Sequence, residues 1–290
     1  MNWLVFHVAS GQSFFSGAAL ITLAVVLSTA KKRGVRRIST LSFLIGLISV
    51  VISSTAIPYW FYAVVAAITL VWIGSVVVGR WRWWPSAAAV VGWLTCAAVE
   101  LPYHALPALP PVDSAAVTII GDSLTAGMGE NEAETWPNLL AREHDISVHD
   151  YSHVGETAAS ALNRIRPHDI ESPIVILEIG GNDLLGSTSS KQFALDLSAL
   201  LEHVCVPGVQ VAMFELPLPP LCHEYGQIQR TLARRHDVKL IPKRVLLGVL
   251  GESGSTLDSI HLTQAGHQRM SDRVWQLLES ALDPNVHSSR

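Results

Sequence analysis

One serine, one asparagine and one Asp–His pair stand where their residue types and spacing could do acyl chemistry. Ser123 lies in "VTIIGDSLTAGMG" (117–129), where a β-branched run ends in Gly121 and Asp122 and small residues follow. A serine hydroxyl is a poor nucleophile until a base takes its proton and a third group orients that base. Asp258 and His261, in "LDSIHLTQAGH", have suitable spacing. An Asp three residues before a His can fold back in a turn and accept from Nδ1, leaving Nε2 for the serine proton. Acyl transfer also needs donors aimed at the developing oxyanion. Asn182, in "EIGGND", offers a side-chain amide, while Gly155, in "SHVGET", and Ser123 itself offer backbone N–H groups. Each of these residues also has a plainer role: a capping serine or aspartate, a surface histidine, a turn glycine. His267 is a rival base, but it falls inside the last helical pattern, where a structural role is expected. Asp183 is expected to hold its loop through backbone hydrogen bonds.

Something must hold these residues at one place. From residue 114 onward, apolar runs alternate with helical patterns. The pattern predicts strands at 115–120, 146–151, 174–179, 209–215 and 237–241. It predicts helices at 134–144, 156–165, 190–204, 222–236 and 264–282. Strand then helix, five times over, calls for a parallel sheet covered on both faces. In such sheets sites form at the carboxyl ends of the strands. Ser123, Gly155 and the "GGND" of 180–183 all follow strands and so converge on one edge.

These residues bring a family into view. "GDSL" (121–124), Gly155, "GGND" (180–183) and "DSIH" (258–261) resemble, in order and at typical spacing, the four blocks of the GDSL or SGNH hydrolases. "WPNLL" (136–140) and "ILEIGGNDLL" (176–185) are most similar to the bacterial thioesterase I/arylesterase branch. The resemblance spans roughly residues 115–282. It implies a flavodoxin-like three-layer α/β/α sandwich on a five-stranded parallel sheet. Ser123, Asp258 and His261 would be the triad, and Ser123, Gly155 and Asn182 the oxyanion hole. It implies ester or thioester hydrolysis through an acyl-enzyme, with no metal and no cofactor. The GxSxG elbow of α/β-hydrolases is absent, which disfavours that fold.

The first hundred residues depart from that branch. A membrane-spanning helix needs about 20 mostly apolar residues. Four runs qualify, at 14–30 (with a possible start at Trp3), 38–57, 60–79 and 85–101, the last ending on Glu100. They lack the polar stripe of a soluble bundle. No basic region precedes the first, so a cleaved signal peptide is a poor fit. "KKRGVRR" (31–37) and "RWRWW" (80–84) carry seven basic residues between them, and the "PYW" loop between the second and third runs carries none. Basic loops face the cytoplasm, which puts both termini on the periplasmic or extracellular side of the cell (inner) membrane. Trp60, Trp81, Trp83 and Trp84 fall at the expected interfaces. Without a buried acid, histidine or broken helix, the spans read as an anchor. "LPYHALPALPPVD" (101–113) reads as a stiff spacer. The expected organisation is a membrane region at 1–102, a linker at 103–113 and a hydrolase domain at 114–290.

The net charge of −4 shows no basic face, which argues against nucleic acid as a partner. Mean hydropathy is +0.34, high for a soluble enzyme, and the apolar excess lies before residue 103. Cys96, Cys205 and Cys222 make no zinc spacing; the last two could pair or stay separate thiols. His144, His149 and His153 cluster in sequence but need not face one point. "GENEAET" (129–135) reads as a solvated loop beside the nucleophile turn. Leu216, Leu218 and Leu221 of the proline-rich loop 215–226 are expected to wall an acyl pocket. The partners implied are an acyl-ester substrate (a lipid, lysophospholipid, thioester or acetylated glycan) and the bilayer, while oligomeric state has no signal. Two other readings stay open: an O-acyltransferase using the same triad, and a non-catalytic binding module on a membrane anchor. The plain apolar spans favour hydrolysis over the first. The full set Ser123, Asp258, His261 and Asn182 favours catalysis over the second.

Overall fold

The computed structural model describes the chain apart from residues 31, 80–82, 129–133, 221, 259 and 283–290. Lys31, Arg80, Trp81 and Arg82 of the two basic loops therefore lie outside the described residues, as do most of the acidic stretch and Leu221. The chain divides into two compact units. One holds Trp3–His104 with Pro217–His223; the other holds Met1–Asn2, Ala105–Leu216 and the chain from Glu224 onward.

The first unit is helical: α1 (Trp3–Ala9), α2 (Gln12–Leu27), α3 (Arg33–Ile52), α4 (Tyr59–Val78) and α5 (Trp83–Glu100). Among the described residues, three helices, α3, α4 and α5 with its short extension to His104, are long and apolar enough to cross a membrane. A fourth crossing exists only if α1 and α2, bent by 85°, count as one broken span. The extension of the first run back to Trp3 is thus broken at Gly11, whose φ of +83° suits glycine. Alone, the 16 residues of α2 reach about 24 Å, short of a hydrocarbon core of about 30 Å.

The second span also differs from expectation. It starts five residues earlier than predicted and stops at Ile52, and buried Ser53–Ile57 leaves the helix. Ser53 and Thr55 pair their hydroxyls at 2.9 Å, and the Ser54 N–H donates to the Val8 carbonyl at 3.1 Å. Pro58 then disfavours helix at the residue before it.

Packing here follows the logic of lipid, where small residues let helix backbones approach. A Cβ on Gly17 would lie 2.7 Å from the Gly46 carbonyl, and one on Gly46 would lie 2.8 Å from the Gly17 carbonyl. Helix α4 buries Val65, Thr69 and Trp72 on one stripe and leaves Val64, Leu70, Val71, Val77 and Val78 exposed. Glu100 corrects the expectation of spans without a buried acid: it is fully buried, with its carboxylate 3.6 Å from His104 Nε2.

Pro217–His223 packs with these helices. The Leu218 N–H donates to Ser54 Oγ at 2.9 Å, and His223 Nε2 donates to the Ser53 carbonyl at 2.8 Å. Leu218 is buried and belongs to the helical unit, and Leu216 is buried and belongs to the other.

The second unit carries five parallel strands: β1 (Ala116–Gly121), β2 (Ser147–Asp150), β3 (Ile174–Glu178), β4 (Gln210–Phe214) and β5 (Lys239–Ile241). Their order is β2-β1-β3-β4-β5, the flavodoxin-like arrangement. All five predicted strands form, within two residues at either end. Val117, Ile119, Ile174, Ile176, Ala212 and Phe214 face one core. The alternate positions Thr118, Ile120, Val175, Leu177 and Met213 are buried too, so the sheet is covered on both faces. Helices α7 (Trp136–His144), α12 (Lys243–Gly251) and α13 (Gln264–Leu282) cover the first face, with fully buried Trp136 in that core. Helix α8 (Ala158–Ile165) packs against α10 (Ser190–Val204), and α11 (His223–Arg235) precedes β5. Two short helices, α6 (Ser123–Ala126) and α9 (Gly181–Leu185), and α12 were not read from the sequence.

The stretch expected to be a spacer is partly structural. Leu109 is buried in the sandwich core and the Val112 N–H donates to the Ala281 carbonyl at 3.0 Å.

Candidate active site

The site begins at the central strand. In β1, Gly121 stands in register with Glu178 of β3, and Ile119 with Asp150 of β2. Three carboxyl ends therefore lie side by side. Past Gly121 the chain turns into α6, with Asp122 as its N-cap: Oδ1 accepts from the Leu124 N–H at 3.0 Å. Ser123 is the first residue of that helix and is half-buried. Glycine at 121 is a packing requirement, because a Cβ there would lie 2.6 Å from the Thr125 Cβ.

The β2 loop is tied to this turn where the His153 N–H donates to the Gly121 carbonyl at 3.1 Å. Gly155 follows with a φ of +75°, where a side chain would strain the backbone. The β3 loop is tied in by Asn182. Its Nδ2 donates to Asp122 Oδ2 at 3.1 Å and to the Glu156 carbonyl at 3.0 Å. One amide group thus links the loops that carry Ser123 and Gly155. Both of its hydrogens are engaged, a point the sequence reading lacked. Gly181 leaves room for this, since a Cβ there would stand 3.1 Å from Asp122 Oδ2.

Asp258 and His261 lie on a loop closed by the Leu257 N–H to His261 carbonyl bond at 2.8 Å and the Thr256–Leu262 bridge. The expected turn is present. Asp258 Oδ2 is 2.7 Å from His261 Nδ1, and Oδ1 accepts from the N–H groups of His261 at 3.0 Å and Ile260 at 3.1 Å. The His261 N–H bond above all, then the imidazole, hold the Asp258 carboxyl well below the usual carboxylate range. Burial raises the Asp122 carboxyl, beside Ser123, above its ordinary value, and the Leu124 N–H, Glu178 and His261 offset this only in part.

The Ser123 turn also rests on a pair the sequence reading passed over. Glu178 and Asp122 are both buried, and their carboxyl groups are hydrogen-bonded to each other. Glu178 Oε2 also accepts from the Asp122 N–H at 3.3 Å and the Thr125 hydroxyl at 3.0 Å. Burial first, then the charge of Asp122, pushes the Glu178 carboxyl well above its ordinary value. Its signal in the sequence is an acid inside the apolar run "IVILEI", where a charge needs a reason.

The other candidates find separate places. His267 is buried and its Nδ1 accepts from the Trp136 N–H at 3.3 Å. Asp183 Oδ2 accepts from the Ala158 N–H at 2.9 Å, which holds its loop to α8. His144 stacks on Trp275 at 3.7 Å, His149 pairs with Ser147, and His153 with the Val154 carbonyl. Among the described residues, no three His, Cys, Asp or Glu side chains gather to hold a metal. Cys96, Cys205 and Cys222 carry free thiols, and burial pushes that of Cys205 up to about 11.

This geometry can be set beside known proteins. Residues 119–269 match the model of the GDSL-like Lipase/Acylhydrolase family. The chain belongs to that family. Esterase TesA of Pseudomonas aeruginosa is 27% identical over 177 residues, which cover 57% of this chain and 88% of the relative. An arylesterase of Vibrio mimicus is 31% identical over 139 residues, 43% of this chain and 68% of its own. The solved structure of the psychrotrophic esterase EstA from Pseudoalteromonas sp., inhibited by monoethylphosphonate, aligns with a TM-score of 0.51 at 23% identity. That alignment covers 57% of this chain and 97% of EstA, and it shows a shared fold. The match lies within the second unit apart from Pro217–His223, and the N-terminal helices lie outside it.

Proposed function

We propose that the chain is a membrane-tethered serine esterase that cleaves acyl esters through an acyl-enzyme. The observation carrying this reading is the 2.7 Å contact between Asp258 Oδ2 and His261 Nδ1. An ionised carboxylate on Nδ1 fixes the imidazole tautomer and leaves Nε2 as a base. His261 takes the Ser123 proton as Oγ attacks the acyl carbon. The carbonyl π electrons move onto oxygen, and the oxyanion accepts from the N–H groups of Ser123 and Gly155. Asn182 adds a third bond by sharing one of the two hydrogens now given to Asp122 and Glu156. Collapse expels the alcohol, which takes its proton from His261. Water then repeats the sequence on the acyl-serine and releases the acid.

The three membrane-long helices and the family match support a substrate held near a lipid surface: a lipid, a lysophospholipid, a thioester or an acetylated glycan. The basic loops support a cytoplasmic placement of 31–37 and 80–82, with the hydrolase on the periplasmic or extracellular side. A reporter fused after residue 290 tests this, and a cytoplasmic reporter signal overturns it.

The activity test uses the full chain in detergent with p-nitrophenyl esters from acetate to palmitate, beside Ser123→Ala. Wild type should hydrolyse at least one ester and Ser123→Ala should not. An acetate preference points to a glycan deacetylase, and long chains to a lipid esterase. A folded wild type inactive on every ester removes water as acceptor. Transfer to an added sugar alcohol would then favour an acyltransferase.

A further inference from the structure

Two carboxyl groups share one hydrogen bond at the nucleophile turn, and such a pair needs one proton. Glu178 ends β3 in register with Gly121, and Asp122 caps the helix that carries Ser123. The outer oxygen of Asp122 takes the Asn182 amide at 3.1 Å. The chain of contacts therefore runs from Glu178 through Asp122 to Asn182. We propose that Glu178 is a positioning residue, a neutral acid that donates to the Asp122 carboxylate and so fixes both the nucleophile turn and the Asn182 amide. The proposal rests on the esterase reading for its kinetic test and stands apart from it in its stability test.

The groups around the pair decide where the proton sits. Glu178 faces the Asp122 carboxyl, the Asp122 N–H and the Thr125 hydroxyl. Burial raises Asp122 as well, and the Leu124 N–H, the Asn182 amide and the nearby His261 work against that rise while Asp183 adds to it. Both carboxyls are raised by burial, Glu178 further than Asp122, and Asp122 has the Leu124 N–H and the Asn182 amide to hold its charge, so the proton stays on Glu178. When pH rises enough to ionise Glu178, its proton leaves to solvent and two buried anions face each other. Asp122 must then shift, and the Asn182 amide with it.

The test is the pH profile of kcat/KM for full-length wild type, Glu178→Gln and Thr125→Val. Wild type should lose activity on an alkaline limb. Glu178→Gln still donates to Asp122 but cannot ionise, so whatever its kcat/KM near neutral pH, its profile should lose that limb. Thr125→Val removes a bond that favours ionised Glu178, so its limb should move to higher pH. This second variant decides the matter if Glu178→Gln does not fold. A limb that stays put in the variants, or a wild type without one, overturns the proposal. If wild type cleaves no ester, melting temperature against pH replaces activity. Wild type should then lose stability at alkaline pH and Glu178→Gln should not; parallel curves overturn the pair.

Discussion

At the scale of single residues, the site is a set of short turns, each specified by one or two side chains. Asp258 holds His261 through the imidazole and through its backbone N–H. Removing it should release the base without touching the nucleophile. We expect Asp258→Ala to lower kcat by about three to four orders of magnitude, as triad carboxylates do when removed alone. A loss under tenfold in steady-state assays would mean that another group orients His261. Gly121 is fixed by packing, since the space of its missing Cβ is filled by Thr125. Gly121→Ala should cost about 1–3 kcal/mol in thermal unfolding and displace Ser123, with activity falling further than stability. These residues could be read from sequence because each belongs to a local motif: an Asp three before a His, a Gly–Asp–Ser turn, a Gly–Gly–Asn turn. Glu178 could not. Its partners Asp122 and Thr125 lie 56 and 53 residues away, and only the register of β1 on β3 brings them together.

At the scale of elements, alternation did most of the work. Five apolar runs separated by helical patterns leave a parallel sheet as the economical solution, and the observed order follows. Helices α6 and α9, with four and five residues, are too short to show a 3.6-residue period. Helix α12 follows Pro242 directly, with an apolar run that also suits a strand. The end of β4 shows a cost that no pattern displays. Glu215 is buried, with Arg230 Nε at 2.7 Å and Lys243 Nζ at 3.8 Å. Cutting the nearer partner strands a buried charge, so Arg230→Met should lower stability by about 3 kcal/mol or more. Denaturant unfolding of the solubilised chain measures it, and a neutral result would show that Lys243 alone compensates Glu215. A raised Glu178 adds a pH term. Its neutral form stabilises the fold fully below the ordinary carboxylate value, and that contribution fades as pH rises through its own higher one.

At the scale of the whole molecule, hydropathy located the apolar helices but not their geometry. The bend at Gly11 depends on one residue at positive φ, and the burial of Ser53–Ile57 on hydroxyl pairs far from any apolar period. Two hydrogen bonds between residues more than 160 positions apart tie Pro217–His223 to the helical unit. If α3, α4 and α5 cross a bilayer, the full chain should stay in the membrane pellet after alkaline carbonate extraction. Release into the supernatant would reduce the helices to a peripheral contact.

The claim on which the rest depends is that Ser123 is a nucleophile activated by His261. Treatment of the full-length chain with a fluorophosphonate, read by intact mass and peptide mapping, tests it most directly. The account predicts one adduct, on Ser123, absent in Ser123→Ala and much slower to form in His261→Ala. An adduct on another residue, or an unchanged rate in His261→Ala, would contradict it.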